Sequence, residues 1–338
     1  MFIDLRSDTV TRPTAAMKSF MMEAQLGDDV FGEDPSINEL EQKVAHMFGK
    51  EAALFCPSGT MTNQIAVKTH TKPMDEVIIE KSNHIYYYEA GGVAFNSLAS
   101  VRLVQGNRGR IKPNDITENI NPINLHHART SLVCVENTSN RGGGSYYTTS
   151  ELYELTQTAH QSGLKIHLDG ARLFNALVET GGTTSDIGAM FDSISICLSK
   201  GLGCPVGSVL TGSSAFISEA RRYRKVMGGG MRQAGIIAAA GIYALDHHIH
   251  RLKEDHYRAK QIETVLKECT YVNNVLEVMT NIIIFELNQS MPADVLVGKL
   301  KEQHIHCFSI GKQQIRMVTH LDFNDNMLNT VTKALKIL

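Results

Sequence analysis

The sequence predicts an α/β fold, with a large unit over residues 1–250 built on a mainly parallel central sheet flanked by helices. A small α+β unit follows over residues 251–338. Three observations predict this arrangement. Helix-periodic and short β-branched stretches alternate through the first 250 residues, as in sheets covered on both faces. The strand-like runs are apolar throughout, as buried strands are. Beyond residue 251 the pattern changes to short strands interleaved with helices.

Residues 35–48 carry Ile37, Leu40, Val44 and Met47 on one face, with Asp34 as N-cap, Pro35 in the first turn and Gly49 after the end. An apolar strand at 52–55 leads through Pro57 to a helix expected to open at Met61. Strands are expected at 77–79, 101–104 and 132–135. Leu152, Leu155 and Ala159 line a helix that Gly163 ends, followed by a strand at 165–169. Ile194 and Ile196, beside Cys197 and Leu198, mark another strand, and 208–210 a further one. A helical stretch spans 231–251. The small unit then offers strands at 282–285, 305–308 and 315–318, with helices at 294–302 and 325–335.

Composition bounds the function classes. A chain of 338 residues, 43% hydrophobic and 20% charged, is long enough for two cores. Its net charge of −2 gives no reason to expect nucleic acid or an anionic membrane as partner. The run Arg221-Arg222-Tyr223-Arg224-Lys225 reads as a helix face diluted by Glu219. The six cysteines form no C-x-x-C pair, so buried reduced thiols are expected, with neither disulfides nor a metal site. The first residues carry charges where a signal peptide has its apolar core, and no stretch approaches about 18 apolar residues. A cytoplasmic protein is expected.

The chemistry centres on Lys200, where an apolar strand meets the glycine-rich turn Lys200-Gly-Leu-Gly203. A lysine at the mouth of a buried strand is anchored by backbone and half desolvated, which suits an amine nucleophile. The strand at 165–169 ends on Asp169. Two parallel strands could present Asp169 and Lys200 on one sheet edge, the pair that pyridoxal phosphate needs: an amine for a Schiff base and an acid to keep the ring nitrogen protonated. Cys56-Pro-Ser-Gly59-Thr60, between a strand and a helix, suits a phosphate group or a simple helix cap. It lacks the spacing of a nucleotide-binding loop, and Gly201-Leu-Gly203 lacks the dinucleotide fingerprint. His84 and His126 could each stack on a flat ring, act as acid or base, or be structural. Arg316 could clamp a carboxylate or face water from an edge strand. Lys225 and Arg232 flank Gly228-Gly-Gly230, a cationic loop that could reach a phosphate in its own or a neighbouring subunit.

Together these residues resemble the low-specificity L-threonine aldolases, pyridoxal-phosphate enzymes of the aspartate-aminotransferase fold (fold type I). The likeness runs through Asp4-Leu-Arg-Ser-Asp-Thr-Val-Thr-Arg-Pro13, Gly27-Asp-Asp-Val30, Ser58-Gly-Thr60, Glu89-Ala-Gly-Gly92, Asp169-Gly-Ala-Arg172, Leu198-Ser-Lys-Gly-Leu-Gly203, Gly228-Gly-Gly-Met-Arg-Gln233 and Arg316-Met-Val-Thr-His-Leu-Asp322. The resemblance implies that Lys200 carries the cofactor, Asp169 pairs with its ring nitrogen and His84 stacks on the ring. Arg172 would lie near the ring's phenolic oxygen and the substrate carboxylate. Gly59 and Thr60 would bind phosphate, helped by Lys225 and Arg232 across a dimer interface. Ser7 and Arg316 would hold the substrate carboxylate, and His84 with His126 would surround its β-hydroxyl. The implied reaction is retro-aldol cleavage of threonine and allo-threonine to glycine and acetaldehyde in a homodimer or homotetramer with shared sites. Another fold type I lyase, racemase or aminotransferase acting on a small β-hydroxy amino acid is the alternative. A non-catalytic cofactor-binding regulator would need a partner-binding module for which no residues are spare. Ser139 stands where this family commonly has histidine, and Phe31 where tyrosine is frequent.

Overall fold

A computed structural model describes residues 2–338. In chain order the strands are β1 (Ile3–Asp4), β2 (Ala52–Cys56), β3 (Asp75–Glu80), β4 (Ser100–Val104), β5 (Arg129–Glu136), β6 (Lys165–Gly170), β7 (Ser193–Cys197), β8 (Ser208–Gly212), β9 (Val272–Val275), β10 (Ile282–Leu287), β11 (Ile305–His306), β12 (Phe308–Gly311) and β13 (Gln314–Val318). Seven of them form the central sheet in the order β2-β8-β7-β6-β5-β3-β4. Strands β4, β3, β5, β6 and β7 run parallel, and β8 is antiparallel to both its neighbours. Every residue of β3, β7 and β8 is buried, as expected for strands covered on both faces. Strand β3 lies between β4 and β5, so the chain turns back across the sheet there. Such a switch opens a crevice at the carboxyl ends of the strands, the ends of β5, β6 and β7 included.

The helix Pro35–Met47 forms as its sequence dictates. Asp34 caps it by accepting from the Ile37 amide at 3.1 Å, and Ile37, Leu40 and Val44 are buried in the large core. Other elements differ from expectation for definable reasons. The phosphate-side helix opens at Gly59 instead of Met61, because Ser58 caps it. The helix expected from 231 starts at Gly235 and ends at His247, since residues 228–234 form the glycine loop. The 17-residue helix Leu252–Glu268 was not anticipated: its buried stripe includes Asp255 and His256, which dilute the apolar period. The strand expected at 305–308 is split, and its halves serve different sheets. Ile305 pairs with Ile3 in parallel, while Phe308 pairs with Arg316 in an antiparallel sheet of order β12-β13-β10-β9. The N-terminal Ile3 and Leu5 therefore pack in the second core, beside Ile262, Phe285 and Met317.

Asp34 does more than cap one helix. Fully buried, its carboxylate also accepts from the Gly235 amide at 2.9 Å and the Gly27 amide at 3.3 Å, joining three segments. Asp34→Ala removes a cap and strands a buried N–H, and should cost about 2–3 kcal/mol in chemical denaturation. Asp34→Asn, which keeps an acceptor, should lose less than half of that. Equal losses in the two variants would contradict this role.

Candidate active site

Asp169 and Lys200 meet at the carboxyl ends of the adjacent parallel strands β6 and β7, where Asp169 is in register with Ser195. The turn carrying Lys200 is closed by the Gly203 amide donating to the Lys200 carbonyl at 2.8 Å, and by the Cys204 amide on Leu198 at 3.2 Å. The half-buried Lys200 is close enough for its charge to act on both Asp8 and His84. Asp169 is only 1% exposed, and among the described residues it forms no salt bridge. Its carboxylate accepts from the Ala171 amide at 3.1 Å and from Asn63 Nδ2 at 2.9 Å.

The start of helix Gly59–His70 faces the same edge. Ser58 Oγ satisfies the Met61 amide at 3.2 Å, while the Gly59 and Thr60 amides have no acceptor within the helix. The glycine loop packs here too: a Cβ on Gly229 would fall 2.4 Å from Met61 Sδ. Lys225 ends helix Ser214–Val226 beside this loop. Arg232 donates to Asp28 at 2.9 Å and lies over the exposed ring of Phe31.

His84 opens the short helix His84–Tyr87, capped by Asn83. Its Nδ1 meets Glu89 Oε1 at 3.0 Å, which leaves Nε2 for the crevice. Burial alone would lower its pKa, but the Glu89 hydrogen bond and the nearby Asp169 charge outweigh that and raise it. The His84 amide donates to Glu136 Oε2 at 3.2 Å. Glu136 lies in register with Asp169, and burial together with the Asp169 charge pushes its carboxyl up to about 7.

Two arginines line the opposite side. Arg172 is buried and grips Asp8 bidentately, at 2.7 Å through Nε and 2.6 Å through Nη2. Burial would raise the Asp8 pKa, but Arg172 outweighs it and holds the carboxyl at about 2. Ser7 caps the turn that presents Asp8. Arg316 is half-buried on β13, an interior strand of its sheet. It donates to Asn140 Oδ1 at 3.0 Å and to the Arg6 carbonyl at 3.3 Å, and its Nε is buried with no partner. Among the described residues it has no carboxylate.

His126 is not brought to this site within the chain. It is exposed on the loop before β5, with its amide on Asn124, and β5 separates it from Glu136 by about 23 Å at ~3.3 Å per residue. Ser139 is fully buried and serves the backbone, its Oγ accepting from the Gly142 amide at 3.2 Å. Asp8, Asn63, Glu89 and Glu136 were not singled out from the sequence. Glu136 had a readable signal: like Asp169, it is an acid closing an apolar strand.

These residues fit pyridoxal phosphate. Asp169 is a buried carboxylate with no cation, as a protonated ring nitrogen requires. The open amides of Gly59 and Thr60 suit phosphate, and Lys200 lies on the adjacent strand end. Donor atoms of His84, Glu89 and Asp169 fall within 4.8 Å of one another, a spacing a metal ion could use. The Asn63 amide already bridges the two carboxylates, however.

Residues 4–290 match the model of the beta-eliminating lyase family. The chain is 41% identical over 330 residues to the low specificity L-threonine aldolase of Escherichia coli strain K12, covering 97% of each chain. It is 39% identical over 325 residues to low-specificity L-threonine aldolase 1 of Arabidopsis thaliana, covering 94% of this chain and 91% of that one. A threonine aldolase structure from Leishmania major superposes with a TM-score of 0.86 at 21% identity, covering 99% of each chain, which speaks for the fold. No helix among the described residues is long and apolar enough to cross a membrane.

The His84–Glu89 contact sets a measurable titration. With its pKa raised, protonated His84 adds stability that is present below the ordinary value of 6.5 and lost as pH rises through the folded value. Glu89→Gln removes the charge, so burial should dominate and His84 should titrate lower than in the wild type, as followed by NMR. An unchanged titration would show that Glu89 does not set it.

Proposed function

From the premise that this chain belongs to the beta-eliminating lyase family, and within it to the low-specificity L-threonine aldolases, we propose the following assignment of its site. The protein is a carbon–carbon lyase that uses pyridoxal 5'-phosphate to cleave L-threonine and L-allo-threonine to glycine and acetaldehyde. The observation that carries the site assignment is a mismatch of charge. Neither Asp169, a buried carboxylate at the strand end beside the Lys200 turn, nor Arg316, a half-buried guanidinium within reach of the Asp8 charge as Lys200 is, forms a salt bridge among the described residues. An amino acid and a protonated pyridine ring would complete both.

When bound, the cofactor supplies an electron sink for the pair released as the substrate Cα–Cβ bond breaks. Lys200 would hold it through Nζ. Asp169 would face the ring nitrogen and keep its proton. His84, with Nε2 left open by the Glu89 contact, would be placed to hold or take a proton near the β-hydroxyl. Gly59 and Thr60 bind phosphate through their amides. Arg316 holds the substrate carboxylate through its fork and open Nε. Arg172, oriented by Asp8, supports it with its remaining edge, and Ser7 lies beside them. Together they would fix the orientation of the substrate's Cα–Cβ bond, the positioning that the cleavage needs. His126 can meet a site only from another subunit, and Lys225 and Arg232 are assigned to a partner's phosphate. A homodimer or homotetramer with shared sites follows, and six buried unbridged thiols fit a cytoplasmic setting.

The test has two arms. Purified protein should release acetaldehyde from L-threonine and L-allo-threonine, and Lys200→Ala should abolish both the turnover and the visible absorbance of tethered cofactor. Mixing Lys200→Ala chains with Arg232→Ala chains should then restore part of the activity, because hybrid sites combine an intact lysine with a partner's arginine. Full activity in Lys200→Ala would refute the site. No recovery on mixing would place Arg232 at its own chain's phosphate site, beside whose helix the glycine loop packs at Met61.

A further inference from the structure

A chain of buried polar side chains runs beneath the site from the opposite edge of the sheet. Asn63 Nδ2 is 2.9 Å from Asp169 Oδ2 and 2.9 Å from Glu89 Oε1. Asn63 Oδ1 meets His167 Nε2 at 3.2 Å. His167 Nδ1 meets Ser193 Oγ at 2.8 Å, and that oxygen meets His70 Nε2 at 2.8 Å. Asn63, His167 and Ser193 are at most 2% exposed, so water does not compete for these contacts.

With both imidazoles neutral, the two carboxylates set the direction of each side-chain hydrogen bond in this chain. Two carboxylate oxygens can only accept, so the amide nitrogen of Asn63 faces them and its oxygen faces His167. His167 must then carry its proton on Nε2, which makes Nδ1 an acceptor. Ser193 has one proton and gives it to Nδ1, so His70 must donate from Nε2. Burial favours the neutral form of both imidazoles, pushing His70 down to about 3 and His167 down to about 4. The outer end is held by His70 stacking on Phe216, with centroids 4.5 Å apart.

We propose that Asn63 is a positioning residue of this active site, and that His70, Ser193 and His167 fix its amide so that both N–H bonds point at Asp169 and Glu89. The proposal rests on the reading that Asp169 faces the ring nitrogen. One amide thus orients the carboxylate at the ring nitrogen and, through Glu89, the histidine against the ring face. A rotated amide would turn its oxygen onto the two carboxylates, and either of them would then favour holding a proton. Asp169 would no longer be reserved for the ring. Asn63 and His167 touch neither substrate nor cofactor on this account, so their effect is transmitted through Asp169 and Glu89.

The test uses holoenzyme labelled with nitrogen-15 in histidine. The imidazole shifts should identify His167 as the neutral Nε2–H tautomer, and Ser193→Ala should let a measurable fraction of it convert to the Nδ1–H form. His167→Leu should weaken cofactor affinity and lower kcat roughly tenfold or more, the scale of one hydrogen bond to a charged group, with KM for threonine within about twofold. His167→Gln, which can still donate to Asn63 and accept from Ser193, should recover most of both. An Nδ1–H tautomer or an imidazolium in the wild type would overturn the proposal. So would a His167→Leu protein with unaltered cofactor affinity and kcat. If His167→Leu does not fold, the Ser193→Ala tautomer measurement decides alone. These outcomes are separable from the aldolase reading, which fails if the wild type releases no acetaldehyde from threonine or if Lys200→Ala remains active.

Discussion

The site depends on one buried charge. Taking a carboxylate out of water costs several kcal/mol unless partners replace the lost hydration. Asp169 is buried at the end of β6 without an ion pair, and two N–H donors only partly answer it. The sheet topology puts it there: β6 and β7 are parallel neighbours in the middle of the sheet, so Asp169 and the Lys200 turn emerge at one edge. The remaining need is a cation. A protonated heteroaromatic nitrogen would meet it, with Lys200, the start of helix Gly59–His70 and His84 placed to hold the rest of such a ring and its phosphate.

The side proposed to take the substrate carboxylate follows opposite logic. Arg172 spends its Nε and Nη2 on Asp8, a buried bidentate pair that is worth little as net stability but fixes the guanidinium in place and leaves its other edge open. Arg316 has only neutral acceptors, so its charge is unspent. The small sheet that carries it is joined to the N-terminal segment by the Val318 amide, which donates to the Leu5 carbonyl at 2.9 Å. The segment that supplies Asp8 and the strand that supplies Arg316 are therefore parts of one core, although they come from opposite ends of the chain.

Local chemistry explains what could be read from the sequence. Helix Pro35–Met47 carries its cap, its proline and its apolar stripe within 13 residues, and the strand ending in Asp169 is bounded by a glycine on each side. Lys200, Asp169 and Gly59 stand at strand ends and a helix start, which turn chemistry marks. Groups that matter because of what they meet across the fold were not legible. Asp8 finds Arg172 through 164 residues of chain, and Asn63 finds Asp169 through 106. Helix Leu252–Glu268 hid for a related reason, since its buried Asp255 and His256 make sense only beside Arg251 and Glu179. His126 shows the converse. The resemblance placed it near the substrate's β-hydroxyl, but it precedes the amino end of β5, and within one chain that is the edge of the sheet away from Asp169.

The central claim is that the charge of Asp169, rather than its shape, makes the site work. Asp169→Asn tests it directly, because the substitution keeps volume and hydrogen-bonding reach while removing the charge. The account predicts that the variant still binds pyridoxal phosphate through Lys200 but loses about 100-fold or more in kcat for threonine cleavage, the scale of a lost preorganised electrostatic partner. A kcat within twofold of the wild type, with the cofactor normally bound, would contradict it.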